Sequence, residues 1–327
     1  MKILIVAPPS NLVDNVVRAF RELGHTPCVI NERQNHYLPG FLRDSKLAWR
    51  LRNISPFVRR LAAGALHSRI LDEARRERPE LFLTVKGGSI ASGTVEALKQ
   101  LNVRTVCWFP DDFQLWDLML RRAPAYDRFF TFDSEAARRL RAHGILGARY
   151  LPFAADCVLG VQDDAYACDI AFIGAWYPER EAVLRSLSSR YQVHLYGWKN
   201  WTSSSLRSLW KGPADAAMMR KIFASARINL NIHFASQAHG ANVRTFEIPS
   251  AGGFQLSSYR ADIPELFVPD REIALYRDPS ELPALIDRYL SDDRSRRSIA
   301  EAGRRRVLAD HTYPQRMRQL LEDTFTA

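Results

Sequence analysis

The residue types best suited to chemistry gather in the second half of the chain. Asn242-Val-Arg-Thr-Phe-Glu247 is followed by Pro249 and then by Gly252-Gly253. Asn is a favoured N-cap, and a helix N-terminus offers free N–H groups and the positive end of a dipole, so a diphosphate fits there. Gly240 lets backbone come close to such a ligand, and Arg244 in the first turn adds a forked, charge-assisted contact. A capped surface helix whose Arg and Glu are simply solvated would use the same letters. An interior proline costs a helix roughly 3 kcal/mol, so Pro249 predicts that the helix over Asn242–Ala251 is short or kinked.

These residues need elements to hold them, and the chain supplies an alternation of short apolar runs and helical patterns. Ile3–Ala7 runs into Pro8-Pro9-Ser10-Asn11, after which Val13, Val16, Val17, Phe20 and Leu23 recur at helical spacing up to Gly24. Leu81–Val85 leads into Lys86-Gly87-Gly88-Ser89 and a helix to Gln100, and Thr105–Phe109 leads into Pro110-Asp111-Asp112. Ligands of doubly wound sheets sit beyond the carboxyl ends of the strands, so these loops should line one rim. Asp111-Asp112 can supply a general base for a hydroxyl or simply open a helix. Lys86-Gly87-Gly88 can touch a ligand or make a plain tight turn.

Phe129–Phe132, a helix from Ser134 to His143 and Arg149–Phe153 close the first half, and the Asp-rich, aliphatic-poor stretch 154–167 reads as a linker. The same order then restarts with Asp169–Ile173, Gly174-Ala-Trp-Tyr-Pro178 and a helix over Glu179–Leu187. His194–Gly197, Ile228–Ile232 and Phe254–Ser257 are strands, and Glu281–Leu290 and Ser295–Ala309 are helices. The expected architecture is two doubly wound, Rossmann-like α/β domains facing across a cleft, 1–155 and 156–310. An amphipathic tail, 311–327, can return to the first domain.

Composition agrees with this. The 327 residues are 46% hydrophobic, enough for two cores. The N-terminal apolar run is too short for a signal peptide, and no stretch approaches the roughly 18 apolar residues of a membrane span. Cys28, Cys107, Cys157 and Cys168 form no C-x-x-C pair, which argues against zinc and disulfides and for a reducing, cytoplasmic setting. The net charge of +10 suits phosphate ligands or an anionic membrane face; nucleic acid is disfavoured by the absence of zinc-finger spacing and RNP-like motifs. Within 41–71, seven Lys or Arg stand against the single acid Asp44, with Trp49, Leu51, Phe57, Val58 and Leu61 interleaved. Such a surface can settle peripherally on anionic lipid, while solvated helices explain the same pattern.

Several motifs together resemble the spore-maturation-protein (CgeB-like) family of GT-B glycosyltransferases. They are Tyr150-Leu-Pro-Phe-Ala-Ala-Asp156, Asp169-Ile-Ala-Phe-Ile-Gly174 with Glu179-Arg180-Glu181, Ala226-Arg-Ile-Asn-Leu-Asn231, Asn242 through Gly253, Glu265-Leu-Phe267, and His311-Thr-Tyr313 with Arg316. Trp108-Phe-Pro-Asp-Asp112 carries a weaker likeness in the first half. The resemblance implies a GT-B fold and transfer of a sugar from a UDP-, GDP- or dTDP-sugar to a hydroxyl of a glycan, lipid-linked or protein acceptor, with no bound metal. It implies that Glu247 meets the ribose hydroxyls, with Gly174, Gly240, Asn242 and Arg244 around the donor. Arg180 would stabilise the leaving diphosphate and matter more for turnover than for folding; its plain alternative is a surface pair with Glu179 or Glu181. Tyr196-Gly197-Trp198 can stack on the base or pack in the core, and Trp198 and Trp201 about Lys199 fit a sugar platform. Retaining GT-B enzymes often carry a second Glu ahead of the ribose-binding one and separated from it by seven residues, and here that place holds His239. An imidazole can donate to a hydroxyl but is no carboxylate. The implied catalytic set is thus Arg180, His239 and Asp112, and a nucleotide-sugar epimerase and a non-catalytic binding or scaffold protein stay open beside the transferase.

Overall fold

The computed structural model describes residues 1–36, 38–39, 44–111, 115–156, 166–234 and 239–326, apart from the Arg52 side chain. The chain divides into two compact units, Met1–Pro152 with Tyr313–Ala327, and Phe153–Thr312.

In the first unit β1 (Lys2–Ala7) enters α1 (Asn11–Glu22), which Ser10 caps by accepting from the Val13 N–H. The helix buries Val13, Val16, Val17 and Phe20 and stops at Gly24, whose φ of +79° is one that side chains resist. Next come β2 (Thr26–Asn31), α2 (Lys46–Ile54), α3 (Pro56–Glu77), β3 (Leu81–Val85), α4 (Ser92–Gln100) and β4 (Arg104–Phe109). The unit continues through α5 (Trp116–Arg122), β5 (Arg128–Thr131), α6 (Ser134–Ala142) and β6 (Ala148–Tyr150). All neighbouring strands pair in parallel in the order β2-β1-β3-β4-β5-β6. β1 and β3 are apolar on both faces because helices cover both, as parallel sheets require.

The second unit runs through β7 (Cys168–Ile173), α7 (Pro178–Ser188), β8 (Val193–Tyr196), α8 (Ala216–Ser225), β9 (Ala226–Asn231) and α9 (Arg244–Ser250). It ends with β10 (Gln255–Ser258), α10 (Ile263–Leu266), β11 (Ala274–Tyr276), α11 (Leu282–Ser291) and α12 (Asp293–Asp310). Its sheet is also all parallel, ordered β11-β10-β9-β7-β8. The last helix, α13 (Tyr313–Phe325), belongs to the first unit, where it packs on α1. The α/β class and the two doubly wound, parallel sheets agree with the sequence reading.

Strand order reverses between β1 and β3 in the first unit and between β7 and β9 in the second, the switch points at which such sheets bind ligands. The sequence reading overlooked β2, α8 and β11. Pro27 in Thr26-Pro-Cys-Val-Ile-Asn31 argues against a strand, and it is tolerated because β2 is an edge strand. The helix placed at Asn242–Ala251 is the seven-residue α9, with Pro249 inside it. Residues 41–43 and 157–165, within the basic stretch and the linker, lie outside the described residues.

Met317 and Leu320 of α13 are fully buried. Leu320→Ala should lower the stability of the first unit by about 2–5 kcal/mol, read as an earlier denaturant transition and as faster proteolysis within 1–152 than within the second unit.

Candidate functional site

The strongest concentration of unusual residues lies where β7, β8 and β9 end. Arg180, near the start of α7, is buried, so the surface pairing with Glu179 or Glu181 does not occur. Its Nε and Nη2 donate to the Ile232 carbonyl just past β9 at 3.1 and 2.8 Å, and Nη1 donates to the Ala175 carbonyl just past β7 at 3.0 Å. Arg180 therefore bridges the two sides of the switch point. Phe234 and Tyr177 flank the guanidinium, their ring centroids 4.4 and 5.4 Å away. Among the described residues no carboxylate lies within ion-pair distance of it. Burial, more than the nearby Arg244 charge, pulls its pKa down to about 10, so it stays cationic at neutral pH.

Glu181 faces elsewhere. It accepts from Trp176 Nε1, from Ser205 and from Arg185, and these bonds, those of Ser205 first, hold its pKa near about 2. Removing Arg180 would strand the buried Ile232 carbonyl and the partly buried Ala175 carbonyl, so the residue also supports the fold, whatever it does in turnover.

Gly174 and Gly197 meet back to back at the ends of β7 and β8. The Gly174 N–H donates to the Tyr196 carbonyl, and a Cβ on Gly197 would overlap the Gly174 carbonyl oxygen. Trp201 Nε1 donates to that same oxygen at 2.9 Å while its ring is fully buried and edge-on to Phe172. Trp201 is thus core, which removes it from the proposed sugar platform, whereas Trp198 is 75% exposed. Tyr196 is half-buried against the apolar cluster of Cys168, Ile173 and Phe223.

On the β9 side Asn242 is not the formal N-cap, since α9 starts at Arg244 after Val243. Its Oδ1 nevertheless accepts from the Thr245 N–H at 3.2 Å, so the capping bond is made without the cap position. Asn242 and Asn231 exchange amide hydrogen bonds of 2.8 and 3.1 Å. Arg244 pairs with Glu247 and reaches the Ile173 carbonyl at 3.4 Å, leaving both side chains partly exposed. Gly240 is buried, and His239, half-buried, accepts at its carbonyl from the Asp262 N–H.

Two residues here were missed in the sequence. His233 is buried, its Nε2 accepting from the Asn242 N–H at 3.1 Å and its Nδ1 facing Ser258 Oγ at 3.0 Å. Because an amide N–H can only donate, Nε2 carries the lone pair and Nδ1 the proton. Burial, with Arg260 and Arg180 adding to it, pushes its pKa well below the usual 6.5. Arg260 follows β10 and donates to the Phe234 and Tyr259 carbonyls. The available signal was polar Asn229, Asn231 and His233 inside an apolar strand run, since buried amides and imidazoles need partners.

In the first unit the corresponding rim carries a paired lysine. Lys86, at φ +71°, pairs with Asp111 at 2.6 Å, and Arg122 donates to the Gly87 and Gly88 carbonyls. Asp112 lies outside the described residues. Among the described residues no cluster of three or more metal-binding side chains occurs, and no helix is long and apolar enough to cross a membrane.

Two all-parallel, doubly wound units with their loops at the carboxyl edges define an α/β protein of the GT-B class. A family model described as glycosyl transferase-like matches residues 180–322. No curated protein matches the chain. Among solved structures it is similar to sucrose-phosphate synthase (tll1590) from Thermosynechococcus elongatus, with 13% identity, a TM-score of 0.70 and 99% of each chain covered. It is similar to Anabaena Alr3699/HepE in complex with UDP-glucose, with 12% identity, a TM-score of 0.65 and 98% of each chain covered. A putative UDP-N-acetylglucosamine 2-epimerase from Listeria monocytogenes is 12% identical, with a TM-score of 0.57 over 98% of this chain and 95% of that one.

Two substitutions test the site's construction. Gly24 and Gly197 both have positive φ, but only Gly197 abuts other backbone. Gly24→Ala should cost about 1–2 kcal/mol in unfolding free energy and Gly197→Ala about 1–3 kcal/mol more. His233 has a depressed folded pKa, so its stabilising contribution is complete above the unfolded value of 6.5 and declines as pH falls below it. Denaturant midpoints of the second unit should drop more between about pH 7 and pH 5 in the wild type than in His233→Gln.

Proposed function

We propose that this protein is a glycosyltransferase that moves a hexosyl or deoxyhexosyl group from a nucleoside-diphosphate sugar to an acceptor hydroxyl, within the CgeB-like group that its motifs resemble. The observation that carries the reading is Arg180: a buried, unneutralised guanidinium at the β7/β9 switch point, with Arg244 and Arg260 nearby. A diphosphate supplies the negative charge that this arrangement lacks. The likeness of the whole chain to GT-B structures, one of them holding UDP-glucose, supports the choice of a sugar nucleotide over other phosphates.

In this proposal the second unit holds the donor. Arg244 touches the diphosphate, Glu247 accepts from the ribose hydroxyls, Gly174, Gly197 and Gly240 let backbone approach, and Trp198 takes over the base-stacking role assigned to Tyr196. As the bond from the anomeric carbon to the phosphate oxygen breaks, charge grows on the leaving diphosphate, and the field of Arg180 and Arg244 stabilises it. His239 donates to the sugar or its phosphate. The acceptor oxygen forms the new bond and gives its proton to a carboxylate, for which Asp112 in the first unit is the candidate. Activity is metal-independent, and the unpaired Cys28, Cys107 and Cys168 fit a reducing, cytoplasmic compartment. An epimerase is the second reading, favoured by the likeness to the Listeria protein.

A thermal-shift panel of UDP, GDP and dTDP with their sugars tests the donor; a ligand at 100 times its Kd adds about 2.7 kcal/mol. Arg244→Gln and Arg180→Gln should each weaken nucleotide binding about tenfold or more and depress turnover about a hundredfold, with a chelator leaving the wild type unaffected. Release of nucleoside diphosphate marks transfer or hydrolysis, and interconverted sugar nucleotide without release marks epimerisation. If no nucleotide binds to the folded wild type, the proposal fails.

A further inference from the structure

The corner between α2 and α3 carries a surface that the sugar-nucleotide site does not use. Ser45 caps α2 and Ser55 caps α3, each accepting from the N–H three residues on, so the corner is fixed by local bonds. At its tip stand Ile54 and Phe57, 77% and 75% exposed, among the most exposed large apolar side chains described. Leu47, Trp49, Leu51 and Leu61 extend the exposed apolar area along both helices. Isolated exposed apolar residues need no account, but six within fifteen residues of a helix–helix corner mark an interaction surface.

Charge selects the partner. From Ser45 to Leu71 the chain has no Asp or Glu, whereas Lys46, Arg50, Arg52, Arg59, Arg60 and Arg69 are basic. Arg69 is engaged with Glu73, and Arg59 donates to the Asn53 carbonyl at 2.8 Å. Among the described residues none of Lys46, Arg50, Arg59 and Arg60 has a carboxylate within ion-pair distance. A protein interface concentrates its charges away from its apolar centre, and a second copy of this surface would set cation against cation. Apolar side chains at a tip with cations immediately before and behind them match a bilayer instead. There the former enter the acyl boundary while the latter stay at the level of anionic headgroups.

We propose that the α2–α3 corner docks the protein peripherally on an anionic phospholipid surface, with Ile54 and Phe57 as the inserted residues and Lys46, Arg50, Arg59 and Arg60 as the headgroup contacts. This stands apart from the transferase reading, because it requires no nucleotide and no turnover.

The test is co-sedimentation of the full chain with phosphatidylcholine vesicles, with and without phosphatidylglycerol. Binding should require phosphatidylglycerol and weaken about tenfold or more as salt rises from low to several-fold physiological strength. Ile54→Ser with Phe57→Ser, and separately Arg59→Glu with Arg60→Glu, should each reduce binding about tenfold or more. All four side chains are exposed or at the surface, so circular dichroism and the melting temperature should not change. The Trp49 emission, taken as wild type minus Trp49→Phe, should shift to the blue on binding. Equal binding to both vesicle types, no binding by the folded protein, or unaltered binding by both double variants overturns the proposal. So does a concentration-dependent dimer without lipid that Ile54→Ser with Phe57→Ser abolishes, since the surface would then be a self-contact.

Discussion

A positive charge held inside the second unit without a negative partner among the described residues is the constraint around which that unit is arranged. An unpaired ion in a low-dielectric interior costs several kcal/mol, so Arg180 has to be compensated by other means. The Ile232 and Ala175 carbonyl dipoles and the faces of Phe234 and Tyr177 do this. These partners carry no net charge, so the field of the guanidinium persists toward the carboxyl edge of the sheet. The same bonds tie the segment after β7 to the segment after β9, joining the two halves of the sheet where its strand order reverses.

A second layer of fixed polar groups supports this. Asn231, His233, Asn242, Thr245 and Ser258 satisfy one another, so the start of α9 is set by side chains rather than by a strong helix. That suits a helix of seven residues containing Pro249, which has little cooperativity of its own. The first unit differs in charge rather than in topology. In its switch-point loop, Lys86-Gly87-Gly88, Lys86 is paired by Asp111 and the glycine carbonyls are held by the partly exposed Arg122, whereas the cation of the second unit is buried.

Much of the frame was legible in the sequence because buried parallel strands are unbroken apolar runs ended by glycine or polar loops, as at Ile3–Ala7, Leu81–Val85 and Asp169–Ile173. β2 was not, since its edge position licenses Pro27, and an edge is a property of the sheet rather than of the segment. The motif around Asn242 pointed to the right region but to the wrong first residue of the helix, because a side-chain bond to Thr245 can be made from one position earlier than a formal cap. Arg180 was found as a candidate while its burial was not. A run such as Glu179-Arg180-Glu181 looks solvated, and only the fold turns the central residue inward while Glu181 is taken by Trp176, Ser205 and Arg185. His233 and Arg260 bond to residues 25 and 26 positions away, a separation at which local pattern carries no information.

The placement of α13 imposes an order on biosynthesis. A ribosome delivers β1 and α1 early, yet the helix that covers α1 emerges only after all of Phe153–Thr312 has been made. The nascent first unit must therefore wait without its last helix while the second unit, whose sequence is continuous, is already complete.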